Sequence, residues 1–157
     1  MSNELTLAAL LPRLTDQGNV RHKTFVGIDF GTSTSVASFS VAGNPQDPII
    51  VDAIPCVQLL EGERTHESHL VPTAIAWHHD QLLIGAGAHQ LKHRLQLGRN
   101  LWHSFKMELG TDLGPRYYGS ELGPQHPIAT IETPVDAATL FFRFLKTEIE
   151  RYIETRG

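Results

Sequence analysis

The sequence predicts an α/β domain, a strand-rich sheet closed by one long amphipathic helix. Three observations carry that expectation. From Thr24 onward, short runs of alternating apolar residues recur, each bounded by Gly, Pro, Asn or Asp. After Thr133 the apolar residues switch to helical spacing. The chain has 157 residues, of which 41% are hydrophobic and 19% charged, enough for one packed core and unlike collagen, a coiled coil or a wholly disordered segment.

Residues 1–23 read as a leader, with Leu5, Leu7, Leu10, Leu11 and Leu14 interrupted by Pro12 and then by polar residues 16–19. A short helix or loose coil is expected there. The domain proper then spans residues 24–157. Residues 25–30 and 35–41 predict two strands joined by a tight turn at Gly31-Thr32-Ser33-Thr34, with Gly43-Asn44-Pro45 ending the second. A third strand is expected around Ile49-Ile50-Val51. Further strands are predicted at 57–60 and 73–77, on either side of a polar loop from Glu61 to His69. His78-His79-Asp80 turns the chain into a strand at 81–84, and Gly85 leads to a helix over 86–95.

Residues 110–127 are rich in Gly and Pro and read as a surface loop, with Tyr117 and Tyr118 as its anchors. Thr133-Pro134-Val135-Asp136 is a helix start: Thr133 caps, Pro134 occupies the first helical position and Asp136 lies near the positive end of the dipole. Ala137, Phe141, Phe144, Leu145, Ile149 and Tyr152 then form one apolar stripe opposite Arg143, Lys146, Glu150 and Glu154. That stripe is expected to pack against the sheet.

Thirteen Lys and Arg against 17 Asp and Glu give a net charge of −4, so no basic field steers the domain onto nucleic acid. The single cysteine, Cys56, rules out an intramolecular disulfide and a thiolate-rich metal site, and it fits a reducing, cytoplasmic setting. Leu5 to Leu11 has no basic residue ahead of it and is cut short by Pro12, unlike a cleaved export signal. No apolar run reaches the ~18 residues of a membrane-spanning helix, so no membrane partner is expected.

Chemistry concentrates in Val26-Gly27-Ile28-Asp29-Phe30-Gly31-Thr32-Ser33-Thr34-Ser35. An Asp at the end of a buried strand needs a partner for its charge, and a cation is an economical one. Gly31 is suited to a positive φ, and the hydroxyls and amides that follow form a concave site for an anion. Asp29 would then hold a hydrated Mg²⁺ and the turn would hold phosphates, because Mg²⁺ keeps most of its waters and takes few protein ligands. The alternative is a plain hairpin turn in which Asp29 caps the backbone.

This segment resembles the first phosphate-binding motif of the actin-type ATPase superfamily. Four more landmarks follow in order. Glu61-Gly62-Glu63-Arg64-Thr65 resembles the Glu-Gly-Asp-Arg-Thr loop of the DnaK-like heat-shock chaperones, and Val71-Pro72-Thr73-Ala74-Ile75-Ala76-Trp77 their Thr-Pro-Ser strand. Leu83-Ile84-Gly85-Ala86-Gly87-Ala88 is similar to their Val-Gly-x-x-Ala helix start, and residues 100–110 to their Asn-Thr…Lys-Arg…Gly stretch. The resemblance covers roughly residues 24–157. It departs from the family at Met107, where an Arg is usual, in six residues inserted at 66–71, and in the length of the leader.

The resemblance implies the N-terminal lobe of an actin-like, ribonuclease H-like ATPase domain, with a twisted mixed sheet and helices. It implies ATP or ADP with Mg²⁺ as ligands: Asp29 on the metal, Gly31, Thr32, Ser33 and Thr34 around the phosphates, and Lys106 as the catalytic cation beside Asp29. The family's second phosphate loop, second carboxylate and adenosine pocket have no counterpart in these residues. Weak nucleotide binding and little hydrolysis by this chain alone are therefore expected, with the remainder of the chaperone, co-chaperones or client proteins as partners. A non-catalytic interaction module of the same fold, using the leader and the 110–127 loop, is the alternative. A sugar or acetate kinase of the same superfamily is disfavoured by the Glu61–Thr65 loop.

Other motifs lead nowhere. His89 and His93, or His78 and His79, lack the companions that a zinc site needs. Gly85-Ala86-Gly87 lacks the third glycine of a dinucleotide fingerprint, and no Gly-Lys-Ser/Thr loop occurs.

Overall fold

The computed structural model describes residues 24–41, 50–110 and 117–155. The leader, the 43–45 turn and residues 111–116 of the Gly/Pro-rich loop lie outside them. The element order is β1 (Thr24–Asp29), β2 (Thr34–Val41), β3 (Val51–Ala53), β4 (Cys56–Leu59), β5 (Thr65–Ser68), β6 (Val71–Pro72), β7 (Ala74–His78), β8 (Gln81–Ile84), α1 (Ala86–Gln90), β9 (Leu101–His103), a 3₁₀ turn η1 (Phe105–Glu108) and α2 (Pro134–Glu154). The α/β class is as predicted.

The first sheet is organised by β2. Its residues 36–41 pair with β1, its residues 38–40 pair with β3, and Thr34 and Ser35 pair with Pro72 and Val71 of β6. A second sheet runs β8-β7-β9, and β4 and β5 form a separate hairpin. A single sheet of mixed direction was expected; among the described residues every strand pair is antiparallel and the sheet is in three parts. Most of the connections are tight turns, and a parallel pair needs a crossover of about a dozen residues.

The β7–β8 hairpin closes on His79 and Asp80, both at positive φ (49° and 57°), the pattern of a type I′ turn whose twist matches that of the strands. Residues 61–69 are not all loop, because Thr65–Ser68 pair with Cys56–Leu59 as β5. Thr-His-Glu-Ser carries no apolar alternation, since three of its four residues are exposed, and only the backbone ladder makes it a strand. The helix predicted over 86–95 ends at Gln90 and continues as turns, with Leu91, Lys92 and Arg94 bonded three residues back.

α2 follows its predicted start closely. The Thr133 hydroxyl accepts from the Asp136 amide, and the Asp136 carboxylate accepts from the Thr133 amide, a reciprocal capping box with Pro134 in the first turn. Ala137, Phe141, Leu145, Ile149 and Tyr152 are buried against Ile54, Cys56, Trp102, Phe105 and Ile131. Glu148, also buried, accepts from the Val57 amide at 2.7 Å and from Arg151 at 2.9 Å, which ties the helix to β4. Beside it, burial and to a lesser degree Glu148 push the Cys56 thiol up to about 11, against the opposing pull of Arg151. A smaller cluster of Ala74, Ala76, Leu83, Ala88, Leu91 and Leu101 seats α1 on the second sheet.

In the Gly/Pro-rich segment Tyr117 is buried and bonds Glu108 through its hydroxyl at 3.1 Å. Tyr118, expected as a second anchor, is 87% exposed. Leu122 and Ile131, fully buried, hold the segment down instead. Among the described residues no helix is long and apolar enough to cross a membrane.

Candidate functional site

The turn between β1 and β2 is held from outside its own sequence. Thr73, buried between β6 and β7, donates its hydroxyl hydrogen to the Gly31 carbonyl at 2.9 Å. A hydroxyl has one hydrogen, so the buried Ser35 hydroxyl, 2.9 Å away, donates to Thr73. The Thr73 amide donates to the Ser33 carbonyl at 2.9 Å. Two carbonyls of the turn are thus committed to the protein. Among the described residues, no acceptor bonds the amides of Gly31, Thr32 or Ser33.

Gly31 does not have the positive φ expected of it. Its glycine is required by space: a Cβ there would lie 2.0 Å from the Thr34 carbonyl oxygen. The backbone doubles back on itself so closely that no side chain fits.

Phe30 anchors the front of the turn, its ring 4.8 Å from Phe142, 6.0 Å from Phe141 and 6.2 Å from Phe105 between centroids. The same residue receives the distant lysine. Lys106, 76 positions away, donates its ammonium to the Phe30 carbonyl and lies 5.5 Å from the centre of the Phe30 ring. Its placement starts with Ser104, whose left-handed backbone (φ 59°) opens η1 and buries Phe105, leaving Lys106 and Met107 exposed. Met107 meets the turn directly, its sulfur accepting from the Thr32 hydroxyl at 3.6 Å. In β9 before them, burial, with Lys92 and His89 nearby, lowers the pKa of His103 below the ordinary histidine value.

Asp29 ends β1. The apolar residues of β1 predict a buried strand, yet all six of its residues are exposed, Phe25, Val26 and Ile28 among them. It pairs with β2 on one side, and among the described residues no strand pairs with its other edge. Hydropathy marks a surface that favours cover without saying what provides it. The Asp29 carboxylate therefore faces solvent, and burial is not what calls for a cation.

The structure thus brings Lys106 to the turn that Gly31, Thr32, Ser33 and Thr34 form, with Asp29 at the preceding strand end. Phe30, Ser35 and Thr73 all stand in the quoted motifs, but their roles do not follow from the sequence: Phe30 as the seat of the lysine, and Ser35 and Thr73 as the hydroxyl pair that ties down the Gly31 carbonyl.

The Glu61–Thr65 landmark lies apart from this cluster. Leu60 and Arg64 close its turn through a 2.7 Å backbone bond, and Glu61 bonds Arg94 at 2.9 Å and His78 at 3.2 Å. Glu61 and His78, with Gly62, Glu63, His79 and Gln81, line an open cavity of about 310 Å³. Among the described residues, no three His, Cys, Asp or Glu side chains are grouped to hold a metal ion. A scan of protein-family models and a search of curated proteins find no match for the chain.

Proposed function

We propose that this chain is the N-terminal lobe of a DnaK-like, actin-type ATPase domain and supplies one jaw of an ATP–Mg²⁺ clamp. The observation that carries the reading is the Lys106 ammonium seated on the carbonyl of Phe30, the residue that opens the Gly31–Thr34 turn. A cation, uncommitted amides and hydroxyls at one place suit a polyphosphate. The residues fit Mg²⁺ as well: Asp29 offers one exposed carboxylate, and a Mg²⁺ ion that keeps most of its waters needs little more from the protein.

Each residue then has a role. Gly31, Thr32, Ser33 and Thr34 bind the β- and γ-phosphates, Lys106 leaves the Phe30 carbonyl to neutralise the terminal phosphate, and Asp29 orients the metal through water. When bound, Mg²⁺ supplies charge neutralisation between the phosphates. The exposed β1 edge suits a lobe whose sheet is extended by another part of a larger, cytoplasmic chaperone.

Calorimetric titration of Mg·ATP into the full chain tests the reading. Weak binding with negligible turnover is expected, and Asp29→Ala should abolish the dependence of that binding on Mg²⁺. Micromolar affinity with steady hydrolysis would contradict a half-site, and unchanged Mg²⁺ dependence in Asp29→Ala would remove Asp29 from the metal. A second reading, a non-catalytic module that binds partners by strand addition at β1, draws on that same edge. It predicts partner capture without any response to nucleotide.

A further inference from the structure

We propose that Met107 is a peroxide-sensitive modification site whose oxidation to the sulfoxide controls the Gly31–Thr34 turn. Two sulfur chemistries stand in contrast in the described part of the chain. Cys56 is fully buried, and its thiol, pushed up to about 11, is not the thiolate that peroxide attacks. Met107 is 70% exposed, next to Lys106, and its thioether already accepts from the Thr32 hydroxyl. Met1 is the other methionine of the chain.

The chemistry is a two-electron oxygen transfer. A sulfur lone pair attacks one oxygen of hydrogen peroxide, the S–O bond forms as the O–O bond breaks, and the departing hydroxide takes up the remaining proton as water. Sulfur is oxidised and peroxide reduced. A thioether is a weak acceptor, whereas the sulfoxide oxygen is a strong and polar one. Placed where Thr32 already donates, it holds that hydroxyl and competes with any anion for it. Methionine sulfoxide reductase chemistry reverses the change.

The consequence for nucleotide rests on the function proposed above; the consequence for the turn does not. The test treats the full chain and its Met107→Leu variant with hydrogen peroxide, places the added oxygen by peptide mass, and follows the backbone amide resonances of residues 31–34 alongside Mg·ATP titration. Expected are oxidation at Met107 ahead of Cys56, displaced 31–34 resonances in the parent chain only, and a roughly fivefold loss of Mg·ATP affinity, the size of one hydroxyl bond. Unmoved 31–34 resonances after oxidation at Met107, or an equal response in Met107→Leu, would overturn the proposal. If neither oxidation state binds Mg·ATP, the ATPase reading fails, and the resonances alone decide the modification site.

Discussion

At Gly31–Thr34 the backbone is fixed by buried neutral hydroxyls and by a lack of space; at Leu60–Arg64 it is fixed by one backbone bond and by exposed charges. Both turns carry short polar motifs that read alike in the sequence. In the first, Thr73 and Ser35 are removed from water, so each bond they lose leaves an unsatisfied partner inside the protein. In the second, Glu61, Arg94 and His78 remain in contact with solvent, which replaces whatever is lost. Like motifs can therefore differ widely in rigidity, and the rigid one is the one suited to hold a ligand in a fixed geometry.

The contrast is tested most severely at the two glycines. Gly31→Ala forces a methyl to within 2.0 Å of the Thr34 carbonyl and should cost about 3 kcal/mol in urea unfolding. Gly62 has a positive φ of 77° but open space around its missing Cβ, so Gly62→Ala should cost about 1 kcal/mol, from backbone conformation alone. Equal losses at both positions would erase the distinction.

Between these in size, Thr73→Val should cost about 2 kcal/mol, because the Gly31 carbonyl and the Ser35 hydroxyl both lose a partner. Thr73→Ser, which keeps the hydroxyl, should restore most of that. The smallest effect belongs to Glu61. Its hydrogen bond with Arg94, and less so its contacts with His78, hold its carboxyl below the ordinary 4.5. A depressed carboxyl stabilises the fold above the unfolded value and loses that contribution as pH falls below about 4.5 toward the folded one. Glu61→Gln should remove that part of the acid slope, so its small loss in thermal melts should be greatest near neutral pH and shrink as pH falls below about 4.5, and added salt should weaken it.

What the sequence disclosed divides along the same physical line. Elements that bury one face announced themselves: β2, β7, β8 and α2 through periodicity, the α2 cap through its residue types. β5 was missed because its side chains face water, and β9 and η1 because three or four residues are too short for a period. In the site, Asp29, the 31–34 turn and Lys106 were legible as residue types in order, the lysine through its resemblance to a known family alone. The roles of Thr73, Ser35 and Phe30 were not: the first two arise from β2 passing from β1 to β6 and the third from η1 and α2 meeting at its ring and carbonyl, tertiary events with no local pattern. β1 misled for a related reason: an apolar run records what a strand would bury, not whether anything in the chain covers it.

That passage of β2 from one neighbour to another also has a consequence in time. The hairpin of β1 and β2 closes within a few residues, but the bonds that finish its turn come from Thr73, 38 and 42 positions beyond Ser35 and Gly31, and from Lys106, 76 beyond Phe30. Closing loops of that length is slow relative to a hairpin. During synthesis Gly31–Thr34 emerges before Thr73 and Lys106, so the bonds that finish the turn form only after both have followed.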